Sequence, residues 1–225
     1  MTGSRRSTNL MATLVVLLVC TGCNTAKLLA PPPPLRAASA SAFAIDVEFA
    51  EPLDRRTAQD PARYTVLPLA GGTAAKILGA ALIDTLNARA VQLLVTDSAG
   101  NPLPDSSDFS VQTNGVLTIQ GKSTGVRTVD FRTGLNYSSP LGDLFARHCD
   151  SCHGATLPDG NYRTDSYAGL SGIGTNSVPN LIPGDVRCLL VVKTKPSNSM
   201  FNRGELSYLD SELIRNWVVS YGARL

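Results

Sequence analysis

The chain has 225 residues, of which 43% are hydrophobic and 17% charged, and its formal net charge is +2. This length allows one or two domains, and the hydrophobic share excludes a largely disordered chain and a protein with many membrane spans. Because 20 basic residues stand against 18 acidic ones, the sequence lacks the basic excess typical of nucleic-acid binding, and we expect no nucleic-acid partner.

The first thirty residues have the pattern of an export signal. Arg5 and Arg6 precede an apolar run at 10–19 that is too short to span a membrane as a mature helix. The run ends in Cys-Thr-Gly-Cys, which resembles the lipobox of bacterial lipoproteins. This resemblance implies a signal peptide at 1–22, lipidation of Cys23, and a membrane-anchored location in the cell envelope, in the periplasm or at the outer membrane. An ordinary cleaved signal and an uncleaved anchor are the alternatives.

Residues 23–40 are predicted to form a linker, because four consecutive prolines favour an extended polyproline II spacer. After the linker, apolar and polar residues alternate at 43–49, 91–95 and 129–131, which is typical of half-buried strands. Short strands separated by turn residues predict an antiparallel sandwich.

Parts of this region resemble the opening and closing segments of bacterial Ig-like domains. The matching stretches are FAEPLD at 49–54, YTV at 64–66 and VDFRTG at 129–134. The resemblance implies an all-β Ig-like sandwich over residues 41–135. We expect no catalytic residues in it, and its role would be that of a spacer or a contact module.

The chemistry of the chain is concentrated in Cys149-Asp150-Ser151-Cys152-His153, the C-x-x-C-H arrangement that attaches a c-type haem. Thiols three positions apart share one face of a helical turn, so both can reach the two vinyl groups of one porphyrin. His153 would then lie under the ring, where an imidazole nitrogen can bind iron. The motif therefore predicts one covalent haem c, with Cys149 and Cys152 as thioethers and His153 as an axial ligand.

Two other uses of these cysteines are open. A dithiol redox pair would normally lie in a thioredoxin-like strand–helix context, which the sequence lacks. A zinc site could combine Cys149, Cys152 and Cys188 with His148 or His153, although the usual second closely spaced pair is missing. Taken alone, Cys188 is expected to be a buried and inert thiol.

Met200 is the candidate for the second axial ligand. After removal of residues 1–22 it is the one methionine that remains, and it lies in a polar loop downstream of the motif. His148 is adjacent to the motif and cannot easily reach the opposite face of the ring. Elimination therefore favours iron between His153 and Met200.

Two amphipathic helices are predicted to bracket this region. Ser139 followed by Pro140 is typical of a helix start, and the helix would lead directly into Cys149. Ser207 with Asp210 three residues later resembles a capping box at the start of a C-terminal helix.

Residues 137–225 resemble a class I cytochrome c domain of the short bacterial type. The resemblance is carried by Phe145, CDSCHG at 149–154, LIPGD at 181–185, the methionine loop and LIRNW at 213–217. It implies an all-α fold with His153 and Met200 as the iron ligands. It also implies that the carbonyl of Pro179 or Pro183 accepts a hydrogen bond from the His153 imidazole.

The sequence thus predicts two domains, an all-β Ig-like sandwich followed by an all-α cytochrome c fold, in a membrane-anchored lipoprotein. The expected function is one-electron transfer with unidentified redox partner proteins, by a carrier with no catalytic residues of its own. One alternative is a haem enzyme or sensor in which Met200 dissociates and opens the iron. The other is an adhesion or assembly module in which the haem domain is accessory.

Overall fold

The structure, a computed structural model, describes residues 35–156 and 158–225. The predicted signal peptide, the lipidation of Cys23 and the proline run of the linker lie outside the described residues. Among the described residues, no helix is long and apolar enough to cross a membrane.

Seven strands within the described residues form two antiparallel sheets. The four-stranded sheet has the order β1-β2-β5-β4 and the three-stranded sheet the order β3-β6-β7. The strands are β1 (Arg36–Ser41), β2 (Ala44–Glu48), β3 (Tyr64–Pro68), β4 (Lys76–Leu82), β5 (Ala90–Thr96), β6 (Asp108–Thr113) and β7 (Arg127–Arg132). Constant-type immunoglobulin sandwiches have the same four-plus-three order, and unrelated proteins share this architecture, so the order identifies no family.

Period-two alternation places one set of side chains between the sheets. Ile45 pairs with Leu93 and Val47 with Val91, and all four side chains are buried in the core between the sheets. The intervening residues of β2 and β5 necessarily face the other side of the sheet. A short helix, α1 (Arg55–Ala58), connects β2 to the other sheet.

After β7 the described residues form six α-helices joined by irregular loops. These helices are α2 (Leu141–His148), α3 (Asp150–His153), α4 (Tyr167–Leu170), α5 (Leu189–Thr194), α6 (Ser199–Arg203) and α7 (Tyr208–Val219). The fully buried Trp217 and Phe145 meet edge to face, with ring centroids 6.1 Å apart, at the centre of a second core. Helices shorter than two turns cannot be stable alone, so this packing holds them in place.

The helix starts agree in part with the sequence predictions. The capping box of α7 is confirmed, because the Ser207 hydroxyl accepts from Asp210 N and the Asp210 carboxylate accepts from Ser207 N. At α2 the capping residue is Pro140, with no side-chain cap, instead of Ser139. Ser139 N donates to the Asn136 side chain at 2.7 Å, which holds Ser139 in the preceding turn.

The predicted fold class, an all-β Ig-like sandwich followed by an all-α cytochrome c fold, is wrong. The described residues form one compact unit in which α7 packs on the outer face of the four-stranded sheet. Ala38 of β1 belongs to the helical core, and Glu48 of β2 accepts a hydrogen bond from Leu209 N at the start of α7. Strands and helices therefore share a core instead of forming two separate domains. The exact domain boundaries stay a prediction.

The first strand explains part of this error. β1 has the sequence RAASAS, and it lies almost entirely within the segment assigned to the linker. Its small residues show no alternation of large apolar and polar side chains, so the pattern did not indicate a strand. Pairing with β2 and contact with α7 determine its conformation.

Candidate functional site

A cavity of about 430 Å³ lies among helices α2, α3, α5 and α6, and its size falls in the range of small-molecule sites. Cys149, Cys152, His153 and Met200 all line it. The structure thus brings together the four side chains that the sequence singled out, although 47 positions separate His153 from Met200 along the chain.

The two thiols are separated by one helical turn. Cys149 N donates to Phe145 O at 2.8 Å at the end of α2, and His153 N donates to Cys149 O at 2.8 Å in the next turn. Cys149 is half-buried and Cys152 exposed, and neither forms a disulfide. This is the spacing on which the prediction of two thioether bonds depended.

Burial determines the protonation of the first thiol. It raises the pKa of Cys149 to about 12, and the negative charges of Asp150 and Cys152 add to the effect. Reactive redox cysteines have a lowered pKa, because the thiolate is the nucleophile. A protonated Cys149 therefore disfavours the dithiol redox alternative.

The His153 ring has a defined tautomer. Its Nδ1 lies 3.1 Å from the carbonyl oxygen of Tyr162. Because a carbonyl can only accept, Nδ1 carries the proton and Nε2 of the neutral ring keeps a lone pair. A histidine ligand oriented by a second hydrogen bond at its other nitrogen is the usual arrangement in metal sites.

The acceptor for His153 differs from the one that the resemblance implied. Neither Pro179 nor Pro183 supplies it, because the chain folds back after α3 and places Tyr162 beside the ring. The two rings meet edge to face, with centroids 5.8 Å apart. No sequence signal indicated Tyr162, since it lies in an irregular loop nine residues after the histidine.

Thr164 holds the turn of the motif in place. Its backbone N donates to His153 O at 2.8 Å, and its hydroxyl donates to Asp150 Oδ1 at 2.6 Å. Gly154 is required for a different reason, because a Cβ there would lie 2.6 Å from the Asp150 carbonyl oxygen. No pattern in the sequence indicated the role of Thr164.

Met200 lies in a short helix instead of the predicted polar loop. The helix, α6, begins after Asn198, whose side-chain amide donates to Val192 O at 2.6 Å and ties it to α5. Met200 is half-buried and faces the cavity. Its placement is therefore compatible with a ligand approaching from the α5–α6 side.

His148 also lines the cavity, and both of its ring nitrogens face other groups of the chain. Nδ1 lies 2.7 Å from Gly204 O and therefore carries the proton, and Nε2 lies 3.9 Å from Asp210 Oδ2. His148 thus connects the end of α2 to the segment between α6 and α7.

Among the described residues, the side chains of the zinc alternative do not come together as a metal site. Cys188 is 2% exposed in the helical core, as the sequence predicted for an inert thiol. Across residues 35–156 and 158–225, no group of three or more His, Cys, Asp or Glu side chains is arranged to hold a metal ion.

The chain matches solved structures but no family model or curated protein. Among the solved structures that match are three of surface layer protein SbsC: domains 1–6, residues 31–844, and the N-terminal part. Each is 19% identical, has a TM-score of 0.41 and covers 49% of this chain. The match spans 15% of the first two proteins and 25% of the third.

These findings correct the family assignment and the function built on it. No family model matches the chain, and its described residues form one β-rich unit in which strands and helices share a core. The assignment to class I cytochromes c is therefore wrong, and so is one-electron transfer as the function inferred from it. The roles of Cys149, Cys152, His153 and Met200 follow from their own chemistry and stay a prediction.

Proposed function

We propose that this chain is a cell-envelope protein whose helical cavity holds one covalently attached haem. Cys149 and Cys152 would supply the two thioether bonds, and His153 and Met200 the two axial iron ligands. The observation that carries the proposal is the convergence of these four side chains on one cavity.

The chemistry of the donor set fits such a group. Two free thiols one turn apart match the two vinyl groups, and burial keeps Cys149 in the thiol form. His153 Nε2 has the lone pair that an iron ligand needs, because Nδ1 carries the proton and donates a hydrogen bond to the carbonyl oxygen of Tyr162. When bound, the group would supply an iron centre between an imidazole and a thioether.

The walls of the cavity suit a large ring with polar edges. Buried Leu190 and Leu206 provide apolar surface, while Asn180 presents a buried amide. Exposed Lys193 and Arg203 stand at the edge, where carboxylates on a ring would meet solvent. The protein's part is to hold and orient the group and to restrict access of water.

An envelope location follows from the same proposal. Covalent attachment of haem to C-x-x-C-H requires export, and the segment at 1–22 has the pattern of an export signal. We further propose that Cys23 is lipidated. Metabolic labelling with a fatty acid should mark the full chain and not the variant Cys23→Ser; equal labelling of both would contradict the anchor.

The haem proposal is tested with the full chain, produced together with a c-type maturation system. We expect haem to remain with the chain after denaturation, and an alkaline pyridine spectrum to show thioether-linked haem. The double variant Cys149→Ser with Cys152→Ser should lose it. Cys188→Ser is the matched control, because this buried thiol does not line the cavity, and it should keep the haem. Absence of haem from the unaltered chain would overturn the proposal.

A further inference from the structure

Asp210 lies where the sheet, α7 and the site region meet. Its side chain is 3% exposed, and its carboxylate accepts from Arg36 Nη2 at 2.6 Å and from Ser207 N at 3.0 Å. Burial alone would raise the pKa of Asp210, but hydrogen bonds and the charge of Arg36 hold it below its usual value. A charged carboxylate is therefore fixed in position by a residue of β1, 174 positions away.

The same carboxylate faces His148. Its Oδ2 lies 3.9 Å from His148 Nε2, and Arg36 in turn contacts Glu48 Oε2 at 3.2 Å. Arg36 thus pairs with both Asp210 and Glu48, and of these three side chains Asp210 is the one that faces the imidazole ring. The opposite nitrogen, Nδ1, donates to Gly204 O at 2.7 Å.

Gly204 ends the helix that carries Met200. Its N donates to Met200 O at 2.9 Å, and a Cβ at this position would lie 3.0 Å from Met200 O and 3.1 Å from His148 O. The C-terminal ends of α2 and α6 are therefore in close contact, and the His148 side chain bonds one to the other.

We propose that His148 is a positioning residue that holds the C-terminal end of α6, the helix with Met200, against the C-terminal end of α2. We further propose that Asp210, held by Arg36 of β1, orients the His148 ring. That this contact positions an iron ligand rests on the proposed function. The contact between α2 and α6 does not depend on it. Through Arg36 and Asp210, the first strand of the sheet contributes to the geometry of the cavity.

Substitutions at His148 separate the two contacts. Asn places an amide nitrogen at the position of Nδ1 and keeps the bond to Gly204, while Leu removes both polar contacts. Arg36→Met removes the group that fixes Asp210. Arg63→Met is the matched control, because Arg63 is also ion-paired, at 3.2 Å to Asp60, and is 39% exposed against 38% for Arg36.

The first measurement is amide hydrogen exchange of the full chain. Loss of a partly buried hydrogen bond should raise exchange within 200–206 about tenfold in His148→Leu and about threefold in Arg36→Met. His148→Asn and Arg63→Met should match the unaltered chain in this segment. Unchanged exchange in both His148→Leu and Arg36→Met, or an equal rise in all segments, would overturn the proposal. If His148→Leu does not fold, exchange within 200–206 in Arg36→Met and His148→Asn tests the proposal.

The second measurement uses haem-loaded protein and the weak far-red band of methionine-ligated ferric haem. The band should be reduced at least twofold in His148→Leu and restored in His148→Asn. If the unaltered chain binds no haem, the proposed function fails, while hydrogen exchange still tests whether His148 holds α6 against α2. If the band is present and equally strong in all variants, the positioning role is refuted although haem binding stands.

Discussion

Asn216 of α7 donates a hydrogen bond to Asp46 of β2 across 3.3 Å, in a buried contact between residues 170 positions apart. Gln92 of β5 donates to the other carboxylate oxygen at 2.9 Å. Two amides thus solvate a carboxylate where the helices cover the sheet. The junction is polar, and its ionisation has consequences for stability.

We expect Asp46 to make the protein less stable as the pH rises from about 4 to about 7. Burial, with a smaller contribution from Glu212, raises the pKa of Asp46 from 3.8 to about 6. Because the folded pKa exceeds the unfolded one, this stabilising contribution is present below the unfolded pKa and is lost as the pH rises through the folded pKa. Asp46→Asn should raise the free energy of unfolding at pH 7 by about 1–3 kcal/mol.

Denaturant unfolding at pH 4.5 and pH 7 measures this effect as the difference between the variant and the unaltered chain. Asp108→Asn, which removes an exposed carboxylate paired with Arg132, is the control for the loss of a charge. A variant that is equally less stable at both pH values would show that hydrogen bonding, and not ionisation, dominates at Asp46.

Strands and helices should unfold together. The helices share a core with Ala38 of β1, and Arg36 pairs with Asp210. Trp217, the single tryptophan of the chain, is fully buried in the helical core and reports on it by fluorescence. Its transition in urea should coincide with that seen by far-ultraviolet circular dichroism, as expected for one cooperative unit. Two separated midpoints would mean that the two layers unfold independently.

Gly154→Ala should distort the turn that carries His153. The added Cβ would meet the Asp150 carbonyl oxygen at 2.6 Å, and relief requires backbone movement that costs about 1–3 kcal/mol. We expect a lower Tm and less covalent haem. Gly79→Ala in β4 is the matched control, because no atom lies within 4 Å of its added Cβ, and it should retain both. Equal losses in the two variants would contradict the steric argument.

Thr164→Val should destabilise the same turn by loss of a hydrogen bond. It removes the hydroxyl that donates to Asp150 at 2.6 Å but keeps the size of the side chain. The expected loss is about 1–2 kcal/mol of unfolding free energy, measured by denaturant titration. Thr164→Ser keeps the hydroxyl and should recover most of the loss; if Ser and Val behave alike, the hydroxyl contributes little.

Local patterns predicted local structure well. The spacing of Cys149, Cys152 and His153 indicated one helical turn, and Ser207 with Asp210 indicated a capping box, because each depends on residues within one turn of a helix. Alternation at 43–49 and 91–95 likewise indicated strands. Residues 76–82 form β4 through pairing with β5, although their alanine and leucine content is also compatible with a helix.

Local sequence patterns were therefore sufficient to predict the thiol–imidazole motif, the main strands and helix α7. Three features depend on tertiary packing: Tyr162 and not a proline supports His153, β1 begins within the predicted linker, and α7 covers the sheet. The difference lies in the sequence separation of the interacting residues. Capping, turn spacing and alternation act between neighbours, whereas the contact of Arg36 with Asp210 exists only after the sheet and the helices have packed.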